Sequence, residues 1–280
     1  MFKNPPKIFA HMSAVKNGNF VTPEFILNNG DTCINLFRRY CPHRMYPLSK
    51  PGEILDAITC NFHGLQWNKN GQPTNNDMKL TCGSAIIGQS GLVFNNFNEP
   101  DHQWVNDLKN EKHLEFSHIY QGSSNGSWLW MMDIQADLLH IRSGENVVHP
   151  WLSSVEELEE ITMDSGDDWI IQICSTGWWL FIYPFTFIEW SKGCLSVNYT
   201  IPNDISKEFG FSWITQFYYD PTTTQEKRKI FEKLEDVFLE DVAVIEAQHG
   251  PYFPLVQSKN RLEDHCVHWG KWLQKNRIER

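Results

Sequence analysis

The sequence predicts an α+β chain: a small all-β unit first, then a longer unit built on an antiparallel sheet and closed by a long C-terminal helix. Three observations carry this. Short apolar runs separated by the turn signals NNGD, SKPGE and NKNGQ fill the chain up to about residue 99. Longer strand-like runs between 169 and 219 precede one extended stretch with helical spacing. The charge also breaks near residue 100. Residues 1–99 hold nine Lys/Arg against six Asp/Glu, a balance of +3, and residues 100–280 hold fifteen against twenty-eight, a balance of −13. The break sets the expected domains at 1–99 and 100–280.

In order along the chain, strands are expected at 20–27, 32–37, 54–61 and 91–97, with a short helical stretch inside 127–149. Strands follow at 169–173, 180–190, 195–201 and 209–219. Asp220 then reads as an N-cap with Pro221 at the first helical position, and the helix runs to Gln248, stopped by Gly250 and Pro251. Ile230, Leu234, Val237, Phe238, Val242 and Ile245 recur along it at helical spacing. A closing helix is expected at 263–276. No internal repeat is present.

Composition narrows the classes. Twelve Trp and eighteen Phe among 280 residues point to thick cores or large apolar cavities. The opening MFKNPPKIFAHMSAVKNGNF lacks the apolar run of a secretory signal, and the most apolar stretch, WWLFIYPFTF, is too short and aromatic for a membrane span. Seven cysteines, an odd number, argue against a disulfide framework and for a cytoplasmic location. Two glycosylation-type triplets, at Asn125 and Asn198, therefore carry little meaning. With no basic stripe interleaved with aromatics, nucleic-acid binding is not expected.

The most informative stretch is CPHRMYPLSKPGEILDAITCNFHG, residues 41–64. It offers Cys41, His43, Cys60 and His63 as metal ligands in two turns. Thiolate and imidazole both suit zinc or iron. A structural zinc site is one reading. The other is a two-iron centre with the thiolates on one iron and the imidazoles on the second. Pro42 stiffens the first loop and Gly64 lets the second approach closely. The pattern CPHR followed by C-x-x-HG, with NFHGLQWNKNGQP around the second pair and GLVFNNF at 91–97, resembles the Rieske [2Fe–2S] signature. Asn61 and Leu65 stand where the family usually has proline and tryptophan, and neither is a ligand.

The stretch MDIQADLLHIRSGENVVHPW, residues 132–151, places Asp137 and His140 three apart, hence on one face of a helix, with His149 downstream. Alone, D-x-x-H reads as a surface cap or a solvated pair. A mononuclear non-haem iron needs two imidazoles and a carboxylate with positions left open. On the late helix Asp241 falls on the apolar face, three positions after Phe238 and four before Ile245; if the helix ends elsewhere, Asp241 is exposed. A buried carboxylate needs a cation or hydrogen-bond partners. Glu240 points elsewhere around the helix, and Gln248 returns to the face of Asp241.

Taken together the chain is similar to the catalytic (alpha) subunit of Rieske non-haem iron oxygenases over nearly its whole length. The resemblance rests on D-x-x-H with a second histidine and on LEDVAVIEAQ at 239–248. It departs from the family in the gap between His140 and His149, where eight residues stand in place of four or five. The resemblance implies a Rieske domain followed by a helix-grip (START-like) catalytic domain holding a mononuclear Fe(II). Cys41, His43, Cys60 and His63 would hold the [2Fe–2S] cluster, and His140, His149 and Asp241 the second iron. Asp137 would bridge electrons between subunits of a homotrimer supplied by an external reductase or ferredoxin. Arg38, Arg39 and Arg44 would help dock that partner, or simply be solvated. Gln248, Trp178, Phe181 and Tyr183 are candidates for the substrate pocket, with Trp128, Trp130, Phe185 and Phe187 as further aromatic walls. Each also reads as plain core. Leucine after the aspartate in D-L-L-H resembles the branch acting on methoxy or N-methyl compounds more than the ring-dihydroxylating dioxygenases. The expected activity is O2-dependent hydroxylation or demethylation of a small aromatic or methylated compound, and an aromatic box also suits a quaternary ammonium group. The alternative is a Rieske electron-transfer or ligand-binding protein with a degenerate second iron site.

Overall fold

The computed structural model of the chain describes residues 7–16, 18–22, 24–30, 33–110, 113–137, 161–191, 193–204, 207–248, 250–258 and 263–276. The chain divides into two compact units, Lys7–Ile119 and a second beginning at Tyr120. Among the described residues no helix is long and apolar enough to cross a membrane.

The first unit is all-β apart from the short helix α1 (Gln103–Asn110) and a single 3-10 turn. Its strands are β1 (Lys7–His11), β2 (Asn19–Val21), β3 (Phe25–Asn29), β4 (Ile34–Arg38), β5 (Ile54–Leu55), β6 (Ile58–Cys60), β7 (Leu65–Trp67), β8 (Cys82–Ile87) and β9 (Leu92–Asn95). Seven of them form one sheet in the order β1-β9-β8-β4-β3-β2-β5, and β6 and β7 form a separate hairpin. The run 20–27 is thus a hairpin rather than one strand. Thr22 reverses the chain, its amide donating to Phe25 O at 2.7 Å and its hydroxyl accepting from Phe25 N at 3.1 Å. The run 54–61 is likewise divided into β5 and β6.

The boundary between units falls at residue 119, within strand β10 (Glu115–Ser127), and not at the charge break near 100. Packing explains the difference. Phe116 meets Phe20 edge-on at 4.8 Å, so the segment beyond residue 100 belongs to the first unit's core although its charge resembles that of the second.

The second unit has a seven-stranded sheet in the order β10-β16-β15-β14-β13-β12-β11. Strands β11 (Thr162–Ser165), β12 (Trp169–Ile173), β13 (Gly177–Ile182), β14 (Thr186–Ser191), β15 (Cys194–Pro202) and β16 (Phe209–Tyr219) form an antiparallel meander. The expected strand 180–190 is therefore two strands. The turn Tyr183-Pro184-Phe185 separates them, and proline has no N–H to extend the ladder. Helices α2 (Trp128–Ala136), α3 (Gln225–Glu232), α4 (Leu234–Ala247) and α5 (Asp264–Asn276) complete the unit. Phe181, Tyr183, Phe211 and Trp213 of the sheet pack with Met131 and Met132 of α2, Phe238, Val242 and Ile245 of α4, and Trp269 and Trp272 of α5. This is the α+β arrangement of sheet and late helices that the sequence predicts.

Helix α2 is apolar on nearly all sides, as a helix wedged between a sheet and other helices must be. Ser127 caps it, accepting from Trp130 N, and Glu208 accepts from the same serine's hydroxyl at 3.1 Å. The single late helix expected from Asp220 to Gln248 is two helices. Asp220 instead closes a turn through Thr222, and Thr224 is the N-cap of α3, accepting from Lys227 N. The chain breaks at Lys233 and resumes as α4. That break shifts the helical phase, so Ile230 is 60% exposed and Phe231 takes its place in the core.

Candidate metal centre and aromatic cavity

The two motif loops of the first unit are built alike. In the first, Met45 N donates to Cys41 O at 2.8 Å, and Cys41 N to Tyr46 O at 2.8 Å. In the second, Gly64 N donates to Cys60 O at 2.8 Å, and Cys60 pairs with Leu65 across the β6–β7 ladder. Each cysteine thus opens a tight reversal whose fourth following residue turns left-handed: Met45 at φ 54° and Gly64 at φ 70°. Glycine accepts this geometry readily, and methionine does so at some cost. Asn75 secures the second loop, its Nδ2 donating to Gly64 O at 2.8 Å while its Oδ1 accepts from Gln66 N at 2.7 Å.

This geometry sorts the four donors by depth. Cys41 and Cys60 are buried, in a core of Phe37, Leu48, Ile58, Trp67 and Leu80. His43 and His63 are exposed at the tips, with their Nδ1 atoms 3.2 Å apart and their rings 4.8 Å apart. Burial pushes the Cys41 thiol up; the amides of His43 and Arg44 pull it down, and neighbouring Cys60 raises it further. A buried thiol so placed resists ionising until a cation sits beside it. A thiolate pair below and an imidazole pair above fit a [2Fe–2S] cluster. Among the described residues no three His, Cys, Asp or Glu side chains converge as ligands for one ion.

Around the tips, Phe62 packs on His63 at 4.2 Å and stacks on Tyr46 at 5.5 Å, with Met45, Tyr46 and Phe62 all exposed. A groove of about 530 Å3 beside them is lined by Arg39, Tyr46, Leu48, Lys50, Glu53 and Asn61. Arg39 is tied into the loop base, donating to Ser49 O at 2.8 Å and to Tyr40 Oη at 3.1 Å. Arg38 and Arg44 are exposed.

In the second unit, Asp137 is the C-cap residue of α2. His140 and His149 lie outside the described residues. Asp241 is 3% exposed, on the face of α4 that carries Phe238, Val242 and Ile245 into the core. Glu240 is half-buried. Gln248 follows the end of α4, and its Oε1 is buried with no hydrogen-bond partner among the described residues. Phe181 and Tyr183 lie on the helix-covered sheet face, together with Trp179, Phe185 and Phe187. Trp178 alternates to the opposite face, where it pairs with Trp190 at 6.3 Å. Tyr183 Oη lies 3.1 Å from His268 Nδ1. Trp128 and Trp130 are on α2, the latter edge-on to Tyr252 at 4.9 Å.

Three further polar groups in this unit drew no notice in the sequence. Asp133 accepts from Tyr252 Oη at 2.8 Å; burial pushes its carboxyl up to about 6, with Tyr252 opposing and Asp137 adding to the rise. His265 is fully buried against Phe181 at 4.5 Å, and burial lowers its pKa to about 3. Glu189 is half-buried, yet desolvation raises its carboxyl to about 7 against a bond from Trp179. Strand alternation with Phe187 signalled Glu189; nothing local signalled the other two.

Residues 9–82 match the Rieske [2Fe-2S] domain family. The whole chain has the fold of solved Rieske monooxygenases. The quaternary ammonium Rieske monooxygenase CntA in complex with L-carnitine matches with TM-score 0.71 and 17% identity, over 98% of this chain and 89% of that one. CntA with gamma-butyrobetaine matches with TM-score 0.67 at 17% identity over the same shares. Pseudomonas putida CBB5 NdmA matches with TM-score 0.51 and 17% identity, over 96% of this chain and 89% of that one. No curated protein sequence matches the chain.

Proposed function

We propose that the chain is the catalytic subunit of a Rieske-type oxygenase, a monooxygenase or demethylase acting on a small methylated compound. The observation that carries this is the pairing of two units in one fold. One has two buried thiols and two facing imidazoles, and the other has a buried carboxylate on a helix over an aromatic sheet face. An electron carrier needs only the first unit. The fold shared with CntA, solved with L-carnitine and gamma-butyrobetaine, favours a methylated ammonium substrate, and NdmA, solved with theobromine and caffeine, extends the range to N-methyl groups on rings.

In this reading Cys41, Cys60, His43 and His63 would hold the cluster, the thiols on one iron and the imidazoles on the other. His140, His149 and Asp241 would hold the mononuclear iron. Bound there, the two centres supply electrons and O2 activation. The chain's own residues do the rest. His63, exposed with its Nδ1 toward His43, would ligate through that atom and keep Nε2 to hydrogen-bond a carboxylate. Asp137 of a neighbouring copy in a homotrimer is that carboxylate. Arg38 and Arg44, exposed beside the cluster loops, steer an external reductase or ferredoxin of acidic surface. The aromatic face of the second unit excludes water and orients the methyl-bearing group.

Metal content tests the assignment. Anaerobically loaded protein is expected to hold about three iron atoms and two sulfides per chain, and to consume O2 in the presence of a reductase and a methylated ammonium compound. About two irons, with no substrate-dependent O2 uptake, would establish an electron carrier instead.

A further inference from the structure

Within the second unit, one strip of the helix-facing sheet surface is unlike the rest. The register of β13, β14, β15 and β16 puts Trp179 opposite Glu189, Glu189 opposite Ser196, Phe187 opposite Asn198, Asn198 opposite Thr215, and Thr200 opposite Trp213. Directly paired residues share a face, so all of these side chains project from the same surface as Phe181 and Tyr183. An apolar sheet face buried under helices would normally carry aliphatic residues here. This one carries a carboxylate, an amide and hydroxyls between aromatic walls.

Two acceptors in the strip lack a donor among the described residues. Asn198 is 3% exposed; its Nδ2 donates to Thr215 Oγ1 at 2.7 Å, which fixes the amide and leaves Oδ1 buried without a partner among the described residues. Thr200 is fully buried, and its Oγ1 is likewise unpartnered. Glu189 has the Trp179 indole as its hydrogen-bond donor. Among the described residues, the basic groups toward this end of the sheet are engaged elsewhere. Arg228 donates to Asp220 O and Pro221 O, both at 3.2 Å, and lies over Tyr219 at 5.2 Å, while Lys227 acts with it on Cys194. Deep burial also keeps His265 neutral. A carboxylate desolvated by burial, with no cation beside it among the described residues, is costly to maintain unless a ligand brings one.

We propose that Glu189, flanked by Trp179 and Phe187 with Asn198 diagonally across the sheet, is the group that binds a permanently cationic methylammonium headgroup. Trp179 and Phe187 are half-buried, and aromatic rings attract such a cation in addition to the carboxylate. Phe187 is held by Phe181 at 4.7 Å, so the wall is set before any ligand arrives. This assignment rests on the oxygenase reading for its consequence, since it names the class of substrate, but not for its test.

Choline and 3,3-dimethylbutan-1-ol have one shape and differ by one charge. Calorimetric titration of the anaerobic holoprotein with each separates charge recognition from shape. The wild-type chain is expected to prefer choline by at least about tenfold. Glu189→Gln is expected to reduce that preference about tenfold while leaving affinity for the neutral alcohol within about twofold. Trp179→Phe, which keeps an aromatic ring but removes the indole donor, is expected to lose part of the preference. Equal binding of the two probes by the wild type, no binding of either, or an undiminished preference in Glu189→Gln overturns the proposal. Iron content and O2 uptake measured on the same samples keep the two readings apart. Lost cation preference with intact iron removes only the subsite, and intact preference in a chain without the second iron removes only the oxygenase.

Discussion

Tyr252→Phe probes the buried acid on α2 most directly. The substitution removes one oxygen and leaves the ring, which Trp130 holds edge-on at 4.9 Å. What is lost is the 2.8 Å bond from Tyr252 Oη to Asp133 Oδ1. That bond favours the ionised carboxylate and so opposes the burial that already raises the group from 3.8 to about 6. A hydrogen bond to a charged group contributes about 1.5–3 kcal/mol, or roughly one to two pH units at about 1.4 kcal/mol each. The carboxyl of Asp133 is therefore expected to titrate at least about one unit higher in the variant. Infrared difference spectra of the protonated carboxyl stretch, with Asp133→Asn as the blank, follow it between pH 4 and 9. The sign for stability follows. An acid whose folded pKa lies above its unfolded value binds protons more readily when folded, so its stabilising contribution is complete below about 3.8 and is lost as pH rises through 6. The loss amounts to about 3 kcal/mol, of which roughly half falls between pH 5 and 8. Asp133→Asn should flatten that part of the pH–stability curve. A titration point unmoved or lowered by Tyr252→Phe would refute the account of why Asp133 is shifted.

Further outcomes are expected elsewhere. Asp137→Ala should retain the iron of both centres by metal analysis while losing nearly all coupled turnover; normal coupling would rule out the bridge. Gly64→Ala adds a methyl with nothing within 4 Å, so only its left-handed φ of 70° is penalised, about 1 kcal/mol, and the protein should still fold and take up the cluster by its visible spectrum. Gly177→Ala places its methyl 1.9 Å from Trp190 O and should abolish soluble expression or lower Tm severely. Thr224→Ala removes the cap of α3 and should cost about 1 kcal/mol in urea unfolding.

How far the sequence reaches depends on the range of the interaction that decides each feature. The grouping of the four candidate cluster ligands is legible because loop geometry and donor chemistry are local. Cys41, His43, Cys60 and His63 sit in two short turns whose spacing records their partnership. Strands 169–173 and 209–219 are likewise read from local pattern, and Asp241 from helical phase within one turn. The break at Lys233 escaped because Ile230 and Phe231 are equally apolar and only tertiary packing chooses between them. The division at residue 119 escaped because Phe116 answers to Phe20, nearly a hundred residues away. Trp178 and Trp179 present the same difficulty on a strand. Neighbours of identical type face opposite ways, and only the register with β14 decides which joins Phe181. Asp133 and His265 are unreadable locally, since their partners Tyr252 and Phe181 are distant in sequence.

The paired turns at Cys41 and Cys60 have a bearing on maturation. Each is closed by its own main chain, Met45 to Cys41 and Gly64 to Cys60, over a packed floor of Trp67, Leu48 and Leu80. Main-chain closure and the hydrocarbon floor thus hold the two thiols in place. A substitution in that floor is therefore expected to impair cluster uptake even where all four donors are kept.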